Sequence, residues 1–87
     1  MARVVLARRA RLDLLALDWS IADAVEQALG LLEREPRAGY ALRGRLLGLR
    51  ALRVGSFRVI YLVVDGGREV RVAAIRHRSI SYKTDPR

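Results

Sequence analysis

Cysteine is absent from these 87 residues, so no disulfide and no thiolate metal site can supplement the hydrophobic core. A single histidine cannot assemble a zinc site either. No apolar run approaches the roughly 20 residues needed to span a membrane. The opening Met1-Ala2-Arg3-Val4-Val5-Leu6 has no long apolar signal region. A reducing, cytoplasmic setting is therefore the expectation. Lysine is nearly missing as well: sixteen of the seventeen cationic side chains are arginine, and Lys83 is the exception. Arginine carries a rigid planar fork that matches phosphate and stacks on bases, whereas generic solvated surfaces use lysine freely.

Against those absences stands a hydrophobic fraction of 52%, enough for a core. A chain of this length is expected to form one domain over residues 1–87 and to bury roughly 60–65% of its unfolded surface. Such a marginal fold gains stability from any partner that binds only the native state. Charge is distributed unevenly. Residues 1 to 37 hold six basic and six acidic side chains, while residues 38 to 87 hold eleven against three, so the whole net charge of +8 lies in the second part. A one-sided field of this kind suits a polyanion better than a neutral metabolite. The plainer reading is a solvated basic surface. Spacing argues against it, because Arg50, Arg53, Arg58, Arg76 and Arg78 fall within strand-like apolar runs.

Val4 to Leu6 reads as a first strand, and residues 8 to 17 as a helix with Leu14 and Leu17 three apart. Asp18-Trp19-Ser20 interrupts, and Ser20 followed by Asp23 approximates an N-cap with an acidic residue three positions on. Ile21, Val25, Ala28, Leu29 and Leu32 mark one face of a second helix, stopped by Pro36 and Gly39. After Gly44 the period changes to that of strands: Leu49–Val54, a Gly55-Ser56 turn, Phe57–Val64, an Asp65-Gly66-Gly67 turn, then Glu69–Ala73. This order predicts an α+β fold, β-α-α-β-β-β, with a helical pair across one face of a mainly antiparallel sheet. The first strand is expected to pair near the centre of the sheet, and the exposed face to carry the arginines. Trp19 and Tyr40 read as packing residues between helices and sheet, Tyr61 as core, and Arg8, Arg9 and Arg11 as solvated.

Three motifs stand in order in the second part: Leu42-Arg43-Gly44, Leu49-Arg50-Ala51-Leu52-Arg53-Val54-Gly55-Ser56-Phe57-Arg58-Val59-Ile60-Tyr61, and Arg76-His77-Arg78-Ser79-Ile80-Ser81-Tyr82. Together they resemble the RelE/ParE family of bacterial toxins, the toxic halves of type II toxin–antitoxin pairs. The resemblance spans nearly the whole chain and is weaker in its N-terminal part. It implies a RelE-like fold, a cognate antitoxin partner, and in the RelE branch cleavage of messenger RNA on the ribosome. It implies contact with promoter DNA only through the antitoxin, and no membrane and no cofactor. In the ParE branch the same fold poisons DNA gyrase instead; the His77-Arg78 and Tyr82 ending favours the nuclease.

The family pattern assigns Arg58 to phosphate binding and charge stabilisation, Arg78 to the leaving group and Tyr82 to the base, with Arg53 and Arg50 in the RNA-binding basic cluster. The family's lysines in that cluster are absent here. His77, beside Arg78, is read as an RNA contact, against a plainer role as a hydrogen-bonded structural residue. Arg58 has a plainer reading too, as a partner of Asp13 or Asp23. A tyrosine titrates near about 10 and an arginine above about 12, so fixed positive charge is the easier contribution for the arginines, and neighbouring cations would draw a tyrosine toward phenolate.

Overall fold

The computed structural model describes residues 1–79. Strand β1 (Arg3–Leu6) leads into helices α1 (Arg8–Leu15) and α2 (Trp19–Arg34). There follow a two-residue strand β2 (Tyr40–Ala41), a 3-10 turn over Gly44–Leu46, and strands β3 (Arg50–Val54), β4 (Phe57–Val64) and β5 (Glu69–His77). The α+β expectation holds, with β2 as an addition too short to leave a period in the sequence. The sheet has the order β1-β5-β4-β3-β2. All pairings are antiparallel except β1 with β5. β1 thus pairs with an interior strand, β5, and itself forms an edge. No described helix is long and apolar enough to cross a membrane.

Both hairpins follow the turn chemistry of their residues. Gly55 adopts φ +59 between β3 and β4, and Asp65, Gly66 and Gly67 all take positive φ between β4 and β5. The N-cap of helix α2 lies two residues before the expected one. Asp18 stands at its N-cap without a side-chain hydrogen bond, so Ser20 lies inside the first turn. That shift leaves Trp19 83% exposed instead of packed between layers. The predicted apolar face of α2 does reach the sheet, with Val25 and Leu32 fully buried and Ile21 and Leu29 packed against them.

Side-chain alternation divides the sheet into two faces. The helix-covered face holds Val59, Tyr61, Val70, Val72 and Ile75 beneath Ala10, Val25 and Leu32. Each fully buried branched side chain there contributes about 1.5–3 kcal/mol relative to exposure. Beyond Leu6 the β1 edge ends, and the Asp13 carboxylate accepts the Ile75 N–H at 3.0 Å, satisfying a donor that β1 no longer reaches. The opposite face is not uniformly open. Leu42, Leu46 and Leu49 fold back onto Ala51, Ile60 and Ala73, forming a second, smaller core. The arginines therefore occupy the part of that face which the 42–49 segment leaves uncovered.

Candidate functional site: an arginine row across three strands

Strand register builds the site. Arg53 on β3 stands opposite Arg58 on β4, which stands opposite Arg76 on β5. Cross-strand neighbours have Cβ atoms about 4.5–5.5 Å apart, and like charges placed so are destabilising. Three arginines in one row thus cost the fold stability, and an anion laid across them would relieve that cost. The Nε atom of Arg76 is buried without a protein partner among the described residues.

Arg76 reaches this row through a β-bulge. Ile60 pairs with Ala74 but Tyr61 with Val72, so Ala73 is an extra residue and the alternation of β5 reverses there. Without it, Arg76 would share the parity of Val70 and Val72 and point at the helices. Bulges of this sort re-aim side chains next to functional surfaces. The chain then turns at Arg78, whose N–H donates to the Ser56 carbonyl at 2.7 Å. That bond ties the end of β5 to the β3–β4 turn. Arg53, Gly55, Phe57, Arg58 and Arg78 together line a cleft at this corner.

Tyr40 joins the row from β2. Its hydroxyl accepts a hydrogen bond from Arg58 Nε at 2.8 Å, and the Arg53 guanidinium carbon lies 6.0 Å from its ring centroid. The ring is 41% exposed and does not pack between helices and sheet. Tyr40 lies outside the family motifs, and Arg76 opens the last of them without a role that the family pattern assigns to it. Tyr40 reads as an ordinary apolar residue in sequence, and the signal that could have found Arg76 was a bulge that no local pattern announces.

The other predicted residues divide. Arg53, Arg58 and Arg78 come together. Arg50 does not: it stands opposite Tyr61 on the helix-covered side, where its Nη2 donates to the carbonyls of Arg37 at 3.1 Å and Gly39 at 2.6 Å. Its geometry is that of a loop clamp. Gly39 is pinned there too, donating its N–H to Tyr61 Oη at 2.9 Å, and a Cβ on Gly39 would lie 2.5 Å from the Ala51 carbonyl oxygen. Tyr61 is core, as expected, and fully buried. His77 also falls on the helix side, edge-on to Phe57 at 5.1 Å, with Nδ1 accepting the Ser79 N–H at 3.1 Å. That donor places the ring proton of a neutral His77 on Nε2. Asp13 is engaged by Arg9 and Ile75, and Asp23 by Gln27, so the alternative pairing of either with Arg58 is not formed. Tyr82 lies outside the described residues. Among the described residues no cluster of His, Cys, Asp or Glu has the makings of a metal site.

A helix pair on one face of a five-stranded sheet, with an arginine row and cleft on the other, defines an α+β protein of the RelE-type toxin architecture. The family model described as ParE toxin of type II toxin–antitoxin system matches residues 4–82. The Mycobacterium tuberculosis protein named Toxin RelE is 40% identical over 85 residues, covering 95% of this chain and 88% of that protein. In the crystal structure of the M. tuberculosis toxin–antitoxin complex RelBE2, one chain is 38% identical with TM-score 0.79, covering 88% of this chain and 98% of that one. The intact E. coli RelBE complex contains a chain with TM-score 0.77 at 20% identity, covering 88% of this chain and 96% of that one, a likeness of fold alone. The chain belongs to the RelE/ParE family of type II toxin–antitoxin toxins.

Proposed function

We propose that this toxin is a metal-independent endoribonuclease of the RelE branch, acting on messenger RNA at the ribosome in the cytoplasm and held inactive by a cognate antitoxin. One observation carries the reading: three arginines placed directly opposite one another across β3, β4 and β5, beside a cleft that also holds Arg78. Such a row is costly in the free protein and matched to a phosphate backbone. RNA cleavage by the 2′-hydroxyl needs a base for that hydroxyl, charge stabilisation of the phosphorane, and help for the departing 5′-oxygen. Preorganised positive groups supply the second, usually the largest contribution. Arg58 is the proposed phosphorane stabiliser, Arg53 and Arg76 bind flanking phosphate, Arg78 steadies the leaving oxygen, and Tyr82 is the proposed base. Arg50 and His77 have structural contacts and leave the proposed RNA contact set.

The antitoxin assignment draws on the RelBE relatives, whose solved structures are toxin–antitoxin complexes. An acidic segment laid over the arginine row would neutralise the same like-charge repulsion that RNA relieves. Induced expression should stop protein synthesis and leave cut messenger RNA, and coexpression of the adjacent antitoxin should restore growth. The ParE description of the matching family makes gyrase binding the alternative. If synthesis continues while DNA supercoiling fails, that alternative replaces the nuclease.

A further inference from the structure

Tyr40 is an aromatic ring set among cations on an otherwise arginine-lined surface, and no family motif accounts for it. Its hydroxyl is fixed by Arg58 Nε at 2.8 Å, so the ring is oriented before any ligand arrives. Its exposure of 41% is high for a ring already anchored at its polar end. The Arg53 guanidinium, at 6.0 Å from the ring centroid, lies at the outer limit of a direct cation–π contact, about 6 Å, and does not cover the ring closely. Tyr40 also occupies β2, the edge strand next to β3, so the ring flanks the end of the row where a strand crossing Arg76, Arg58 and Arg53 would leave the sheet.

An oriented aromatic face beside a line of phosphate-binding arginines is the arrangement that recognises single-stranded nucleic acid. Cations track the backbone, and the ring takes an unstacked base irrespective of its identity. Duplex ligands keep their bases stacked on one another and cannot use such a face. We infer that Tyr40 is a nucleobase platform, and that the arginine row together with this ring forms a subsite for an unpaired nucleotide and its flanking phosphates. The inference rests on the proposed RNA-directed function and adds the part of the ligand that charge alone does not read.

The test compares a short 2′-O-methyl RNA, which cannot be cleaved through its 2′-oxygen, with inorganic polyphosphate as a base-free polyanion. Tyr40→Leu should weaken RNA binding about tenfold, within the range that base–aromatic stacking supports. It should leave polyphosphate binding unchanged within about twofold. Tyr40→Phe keeps the ring but loses its anchor on Arg58, so its RNA affinity should fall between those of the parent and Tyr40→Leu, whereas Arg58→Ala should weaken both ligands. In the unmodified toxin, RNA should shift the Tyr40 ring proton resonances upfield by ring current and polyphosphate should not, a readout that needs no variant to fold. If RNA binds but the Tyr40 resonances stay in place, or Tyr40→Leu binds RNA as well as the parent, the platform is wrong and the RNA reading stands. Equal losses toward RNA and polyphosphate in a folded Tyr40→Leu would reduce Tyr40 to a support for Arg58. If the unmodified toxin binds polyphosphate but no free RNA, the platform falls, and the nuclease reading is decided separately by whether induced expression leaves cut messenger RNA.

Discussion

Arg50 and Arg53 sit three residues apart on one strand and do opposite things. Arg50 faces the helix side, half-buried, and holds the carbonyls of Arg37 and Gly39. Arg53 faces outward, opposite Arg58 and beside Tyr40. On the helix-covered face the polar groups are internal fasteners: Arg50 on the loop, Tyr61 on Gly39, His77 on Ser79. The outer face concentrates like charge that the fold does not need and is disfavoured by. The same residue type thus serves stability on one face and ligand recognition on the other, and strand parity decides which.

Substitutions on each face test that division. Arg58→Ala should have the largest effect on activity, about a hundredfold loss or roughly 3 kcal/mol of transition-state stabilisation. Its urea midpoint should stay near the parent's, because a row of like charges is being relieved. A midpoint that collapses along with toxicity would make Arg58 a structural residue. Arg50→Met should do the reverse, costing about 2 kcal/mol of stability through lost charged donors to two carbonyls, with toxicity per folded molecule retained. Loss of toxicity at unchanged stability would return Arg50 to the RNA-binding surface.

Tyr61→Phe is a smaller probe of the inner face. It strands the Gly39 N–H and should cost about 1 kcal/mol, lowering the thermal midpoint by roughly 4–8 °C. No change would mean the 39–41 segment finds another acceptor. The smallest effect concerns Glu69 at the far end of the outer face. Hydrogen bonds from Arg3 first and Arg71 second hold its carboxyl below the ordinary value of 4.5. The folded state therefore binds this proton more weakly than the unfolded one. Its contribution to stability is present above that value and is lost as pH falls through the lower folded value. Glu69→Gln should flatten the acid limb of a stability–pH curve by lowering stability slightly at neutral pH and leaving the acid end unchanged, a small effect because the pairs are solvent-exposed.

Much of the fold was legible because its signals are local. β4 runs from Phe57 to Val64 as its apolar run and flanking glycines indicated, and the buried positions of α2 follow a helical period. Aromatic residues mislead, because size and hydrophobicity do not by themselves entail burial. Trp19 opens a helix and faces solvent, and Tyr40 lies on an edge strand of two residues. In the site, the motif arginines Arg53, Arg58 and Arg78 were readable and do converge. Arg50 was grouped with them by charge, although a period of two already separates residues three apart.

Composition and motif order were enough to establish the family, the α+β class and the half of the chain that holds the charge, since these depend on residue type and short-range period. Membership of the arginine row depended on contacts between strands. The bulge at Ala73 carries Arg76 from the parity of Val70 and Val72 to that of Arg58, and β2 brings Tyr40 within hydrogen-bonding distance of Arg58 across 18 positions of sequence. Neither has a local signal, because a bulge exists only relative to the partner strand it fails to match, and a two-residue strand exists only by pairing.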